Sequence, residues 1–173
     1  MFQVPQPILV CTYTNVAVDN LVEGFAKAGV KPLRIGQSAH VRQSLIEHSL
    51  DYKLQQHPLH AKLMTVLNED EEINAAMKEL SKKYGSLELR IKETANPRRS
   101  TLARAQNMKS AISSMVYRQK MLKKKIYGLQ QLMLRDTVAA ADVVCVELLE
   151  CYVVLSDSLS RFARLALLRL AMH

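Results

Sequence analysis

A chain of 173 residues, 49% of them hydrophobic, is long enough to bury a sizeable core and too apolar to be disordered throughout. Its formal net charge of +8 favours an anionic partner, either nucleic acid or an acidic surface. No apolar run approaches the roughly 18 residues of a membrane-spanning helix, and Cys11, Cys145 and Cys151 form no CxxC pair and no even disulfide framework.

These features lead us to expect a soluble intracellular protein, nuclear or cytoplasmic. The charge is unevenly spread. Residues 98 to 135 hold ten Lys or Arg and no acidic residue, whereas acidic residues slightly outnumber basic ones elsewhere.

In chain order, Met1 to Pro7 is a short lead-in interrupted by Pro5. Ile8 to Cys11 is short, continuous and β-branched at Ile8 and Val10, the pattern of a fully buried parallel strand. Val18, Leu21, Val22 and Phe25 then follow the three-and-four spacing of one helix face. Thr14 and Asn15 lie between and are natural N-caps. Strand, tight turn and helix thus form one unit, and ligands of open α/β sheets sit beyond the carboxyl ends of the strands. Gly29 is placed to end the helix, and KPLRIG reads as a second short strand.

ILVCTYTNVAVDNL resembles motif Ia of superfamily 1 helicases, in the branch that contains the nonsense-mediated-decay helicase and senataxin. That motif is an apolar strand followed by C-A-P-S-N-x-A-V-D. Cys11, Asn15, Ala17, Val18 and Asp19 match it, and Thr14 stands in for the serine. Thr12 and Tyr13 stand where the motif has alanine and proline. An R-[IVL]-G segment like Arg34-Ile35-Gly36 follows the motif in the family. The resemblance implies an α/β fold, mostly helical, with an incomplete RecA-like parallel sheet of the P-loop NTPase type. It also implies that Thr12, Thr14 and Asn15 hold the phosphate backbone of a single RNA or DNA strand.

Val41, Leu45, Ile46, Leu50 and Leu54 fit one or two short helices before His57-Pro58-Leu59-His60 breaks the pattern. His48, His57 and His60 lack the cysteine or carboxylate of a zinc set, so no metal is expected and they read as solvent-facing.

Residues 61 to 135 carry the clearest periodicity. Ile73, Met77, Leu80, Tyr84, Leu87 and Ile91 alternate spacings of four and three. Met108, Ile112, Met115, Gln119, Leu122, Ile126, Leu129 and Met133 repeat the pattern, with Gln119 as the seam's polar member. Asn96-Pro97 turns the chain between the arms, and Ser100 is a candidate cap for the second. The expectation is a long antiparallel helical hairpin with arms of about 40 to 50 Å. The acidic run Glu69 to Glu72 would favour the positive end of the first arm's dipole. In the helicase family an inserted domain that includes a helical stalk follows motif Ia, and the hairpin occupies that position.

Arg118, Lys120, Lys123, Lys124 and Lys125 form the densest basic patch. It reads either as a nucleic-acid contact or as a solvated face partly balancing the acidic first arm. Arg98 and Arg99 at the hairpin tip could touch nucleic acid or a partner protein.

Val138 to Val146 returns to strand composition, and ADVVC resembles the strand that follows the insertion in the helicases. The tail carries no motif of the family. Ser158 or Ser160 could cap a final amphipathic helix, on an anionic membrane or packed on the fold. The sequence contains no GxxxxGK[ST] loop and no acidic box, so no catalytic residue is assigned and ATP hydrolysis by this chain alone is not expected. ATP and magnesium belong to the complete family enzyme.

The expected organisation is a partial RecA-like base over 1–60, the hairpin over 61–136, and a returning strand with a helical tail over 137–173. Two functions stay open. One is a fragment of an ATP-dependent helicase that contributes single-strand binding. The other is a coiled-coil interaction module whose hairpin binds a protein partner.

Overall fold

The computed structural model describes residues 7–36 and 41–148. Cys151 and the expected C-terminal helix after Ser158 or Ser160 lie outside them. The chain divides into two compact units, one formed by the segments on either side of residues 62–128 and the other by 62–128 itself.

The first unit is built on three parallel strands: β1 (Ile8–Thr12), β2 (Pro32–Ile35) and β3 (Val143–Glu147), in the order β1-β3-β2. Ile8 pairs with Val143 and Thr12 with Glu147, while Pro32 to Ile35 pair with Val143 to Val146. The last of these three strands in sequence is therefore central among the described residues. All four of Val143 to Val146 are buried, whereas Ile8 and Leu9 are 42% and 41% exposed. The expectation of a parallel first strand agrees with this pairing, but the expected full burial does not, because among the described residues β1 has a neighbouring strand on one side only.

Helix α1 (Asn15–Lys27) packs on one face of the sheet. Val18 and Val22 from the helix join Leu45, Val143 and Cys145 in one apolar cluster. Leu33, Ile35, Val144 and Val146 alternate to the opposite face and are also buried. Gly29 takes φ +77°, and its amide bonds to the carbonyl of Ala26 as the helix closes.

A 3₁₀ segment (Gln43–His48) and α2 (Leu50–Gln55) follow, with Ser49 capping α2 through its hydroxyl. His48, His57 and His60 are half-buried rather than solvent-facing, and His57 Nδ1 accepts from the Leu59 amide, which holds that ring against its own turn.

Helices α3 (His60–Glu93) and α4 (Arg99–Ala139) supply the second unit. Their 34 and 41 residues correspond to about 50 and 60 Å at ~1.5 Å per residue, somewhat longer than expected. Within 62–128, Ile73, Met77, Leu80, Tyr84, Leu87 and Ile91 are half-buried, while Gln119, Leu122 and Ile126 are buried. Gln119 hydrogen-bonds to Asn74 across the hairpin, and Arg118 pairs with Glu69. The two cross-links join positions roughly equidistant from the turn, as antiparallel arms require.

Three local expectations are corrected. Helix α3 begins at His60, so Glu69 to Glu72 lie beyond its first turn, where the dipole no longer acts; Glu69 instead meets Arg118. Helix α4 begins at Arg99, with the Thr101 and Leu102 amides bonded to the Arg98 carbonyl, which puts Ser100 inside the first turn rather than at the cap. Val138 and Ala139 continue α4 because alanine-rich sequence extends a helix readily, and the strand starts only at Val143.

Candidate nucleic-acid interface

All three strands are parallel, so their carboxyl ends lie at one edge of the sheet, at Thr12, Ile35 and Glu147. The turn from Thr12 to Asn15 stands over that edge. Thr14 is the N-cap of α1, with extended backbone, and its Oγ1 accepts from the Ala17 amide at 3.2 Å. The Thr12 hydroxyl donates to the Thr14 carbonyl at 3.1 Å and tightens the turn. Thr14 and Tyr13 are exposed, Tyr13 at 83%. The amides of Asn15 and Val16 have no hydrogen bond among the described residues, as the first turn of any helix dictates.

Asn15 is half-buried, and its side chain is tied down on both sides. Its Oδ1 accepts from Arg34 Nη2 at 2.9 Å, and its Nδ2 donates to Glu147 Oε2 at 2.9 Å. Arg34 and Asp19 are 1% and 3% exposed and form an ion pair, with Nε 2.7 Å from Oδ1. The second Asp19 oxygen accepts from the Arg42 amide at 3.3 Å. Arg42 also donates to Asn20 at 2.9 Å and lies 3.4 Å from Glu23. Arg34 Nη1 is buried without a partner among the described residues.

The network therefore runs Glu147–Asn15–Arg34–Asp19–Arg42. It joins the end of β3, the start of α1, the middle of β2 and the segment before the 3₁₀ turn. Burial pushes the thiol of Cys145, the register neighbour of Arg34, up to about 11, against the opposing pull of the Arg34 charge.

Reasoning from the sequence placed Thr12, Thr14 and Asn15 on one turn, and the structure brings all three together there. It gave no role to Arg34 and Glu147, and treated Asp19 only as a motif match. A signal was present: Asp19 falls on the apolar face of α1 beside Val18 and Val22, and Arg34 interrupts the apolar strand PLRI. Opposite charges at two buried positions call for each other.

The basic residues belong elsewhere. Lys120, Lys123, Lys124 and Lys125 are exposed on α4, and Arg98 and Arg99 are exposed at the start of that helix. None of these six has an ion pair among the described residues, whereas Arg118 pairs with Glu69.

A cavity of about 560 Å³ opens at the amino-terminal end of β2, lined in part by Lys31, His48, Lys53, His57 and Asp136. No residue of the Thr12–Asn15 turn borders it. His57 Nε2 lies 4.0 Å from Asp136 there. No helix among the described residues is long and apolar enough to cross a membrane.

Comparison with known proteins agrees with this architecture. A family model described as an AAA domain matches residues 2–164. A 44-residue stretch is 43% identical to the DNA polymerase alpha-associated DNA helicase A of Schizosaccharomyces pombe, covering 25% of this chain and 7% of that protein. A stretch of the same length is 50% identical to the DNA-binding protein SMUBP-2 of Mesocricetus auratus, covering 25% of this chain and 4% of that protein. The aligned stretch is thus a small part of either relative. Fold, motif and family match converge, and the chain belongs to the AAA domain family of superfamily 1 helicases.

Proposed function

We propose that this chain supplies single-strand binding to an ATP-dependent nucleic-acid helicase, through the turn between β1 and α1. The observation that carries the reading is the pair of unbonded first-turn amides, at Asn15 and Val16, standing over the carboxyl edge of a parallel sheet. A phosphate there meets two N–H donors, the positive end of the α1 dipole and the exposed Thr14 side. The names of the two relatives, a DNA helicase and a DNA-binding protein, support the same direction.

The role of Asn15 follows from its bonds. Both of its polar side-chain atoms are engaged by Arg34 and Glu147, so it orients the turn more than it grips the strand, leaving one Nδ2 hydrogen for a ligand. Thr12 acts in the same way, bracing the Thr14 carbonyl. Glu147 limits the approach: a phosphate on the sheet side would face its carboxylate, so the strand passes on the Thr14 side. Nothing in this sequence supplies the phosphate loop or the acidic magnesium ligand, so ATP and magnesium are handled elsewhere in a complete enzyme.

The test is fluorescence anisotropy with labelled single-stranded RNA and DNA across a salt series, with ATP hydrolysis assayed on the same sample. Affinity should fall as salt rises, and Asn15→Ala should weaken it about tenfold at a temperature where the variant remains folded. Unchanged binding by that variant, or ATP turnover by the chain alone, would overturn the reading.

A further inference from the structure

Helix α4 carries a second stripe that the hairpin seam does not use. Relative to the buried positions Gln119, Leu122 and Ile126, the residues Tyr117, Lys120, Met121 and Lys124 fall on the opposite side of the helix, and Tyr127 lies on the flank of that face, ~80° round from Tyr117 at ~3.6 residues per turn. Tyr117 is 67% exposed, Met121 49% and Tyr127 41%, and both lysines are exposed. An outward helix face is ordinarily charged and polar throughout. Here two aromatic rings and a thioether stand among lysines with no acidic residue from 98 to 135 to neutralise them.

One alternative was that these lysines balance the acidic first arm. No direct ion pair on this face expresses that balance. The arm's Glu69 is taken by Arg118, and neither Lys120 nor Lys124 has an ion pair among the described residues. Two cations held beside two exposed rings match one kind of ligand, a polyanion that also offers flat apolar faces. Single-stranded nucleic acid is that ligand, because lysines neutralise phosphates while unpaired bases stack on aromatic rings. A partner protein's apolar helix would be a poorer fit, since seating it would strip water from both lysines without pairing them. Duplex fits poorly as well, because its bases are already stacked on one another.

We infer that this outer face of α4 is a stacking platform for single-stranded nucleic acid, with Tyr117 and Tyr127 as the stacking residues and Lys120 and Lys124 as the phosphate contacts. Ten positions on a helix put the two rings about 15 Å apart along its axis. At about 3.4 Å per nucleotide that spans roughly four nucleotides of a stacked strand. The ring contacts are tolerant of sequence, since every base presents a π face. The inference rests on the helicase reading for the class of ligand, and it concerns a surface distinct from the β1–α1 turn.

The chain contains no tryptophan, so Tyr117→Trp and Tyr127→Trp each introduce a single emitter. Each variant of the full chain is titrated with a short oligothymidylate and with an abasic oligomer of the same length. Stacking predicts strong quenching by the thymidylate and little by the abasic strand, and Tyr117→Ala should lower thymidylate affinity about tenfold. Equal, weak responses to both oligomers would overturn the inference and leave a merely cationic surface. Asn15→Ala separates the two proposals. If it abolishes binding, and Tyr117→Trp and Tyr127→Trp stay unquenched with Asn15 intact, the turn grips the strand and the platform is wrong. Quenching that survives Asn15→Ala supports the platform and removes the turn. Tryptophan emission that responds to an acidic polypeptide but not to the oligomers would assign the face to a protein and overturn the inference.

Discussion

Arg34 Nη2 donates to Asn15 Oδ1 at 2.9 Å, so the middle of β2 fixes which way the first residue of α1 presents its amide. Arginine has only donors, which compels the oxygen of Asn15 to face it and turns the nitrogen toward Glu147. Asn15→Asp would keep the contact with Arg34 and set a second carboxylate against Glu147. A loss of about 1–2 kcal/mol is expected, largely recovered when Glu147→Gln is added. Urea denaturation of the four members of that cycle would show it, and strict additivity would exclude a direct interaction.

The buried pair beneath Asn15 should be more sensitive still. Arg34→Met leaves the buried Asp19 carboxylate with only the exposed Arg42 guanidinium, 3.9 Å away, and the Arg42 amide, at a cost of about 3 kcal/mol. Adding Asp19→Leu should recover much of that loss, since no charge then remains to be compensated. Denaturation midpoints for single and double variants measure both effects.

Thr14→Ala removes the side-chain acceptor for the Ala17 amide and should cost about 1 kcal/mol, with Thr14→Ser close to the parent. At the other end of α1, Gly29→Ala should cost a similar ~1 kcal/mol. No atom within 4 Å would meet the added Cβ, so the penalty comes entirely from φ +77°.

The Cys145 thiol, pushed up to about 11 by burial, should resist alkylation at pH 8 in the folded protein. The native state holds this proton to higher pH than the unfolded chain, which releases it near 9.0. Raising the pH through that window therefore favours unfolding, and the contribution is fully present below 9.0. Thermal melts from pH 8 to 11 should fall more steeply for the parent than for Cys145→Ala.

Glu147→Gln keeps an acceptor for Asn15 and removes the negative charge beside the turn. Strand affinity should rise a few-fold at low salt and return to the parent value at high salt, where screening shortens the reach of the charge. Anisotropy titrations at two ionic strengths would decide.

Much of the turn was legible because its signals are local: a β-branched run, a hydroxyl at the cap and helical spacing from Val18 onward. The hairpin was legible for the same reason, as its two apolar seams recur with the period of the helix itself. The pairing order of the strands was not legible. Nothing in ILVCT says that its neighbour lies 135 residues onward rather than at PLRI, and burial inferred from composition cannot distinguish an edge from a centre. The network around Arg34 was half-visible, through two charges at apolar positions. Its third member, Glu147, lies beyond the point where the helicase resemblance ends. The helix-to-strand boundary near Ala139 was misplaced because alanine and valine suit either state until the register with β1 selects one.

Because β3 lies between β1 and β2, the first two strands share no ladder of their own. Asp142 is the fastening point: its carbonyl accepts from the Ile8 amide, its own amide donates to Lys31, and its carboxylate accepts from the Lys31 amide. Within this sheet, β1 and β2 gain their shared partner only after Asp142 and β3 have been synthesised. A structureless loop of such length would make the closure slow. Helices that form from local contacts within microseconds shorten the effective search. The hairpin thus has a temporal consequence, since whatever delays its folding delays the ladders that β3 makes with β1 and β2.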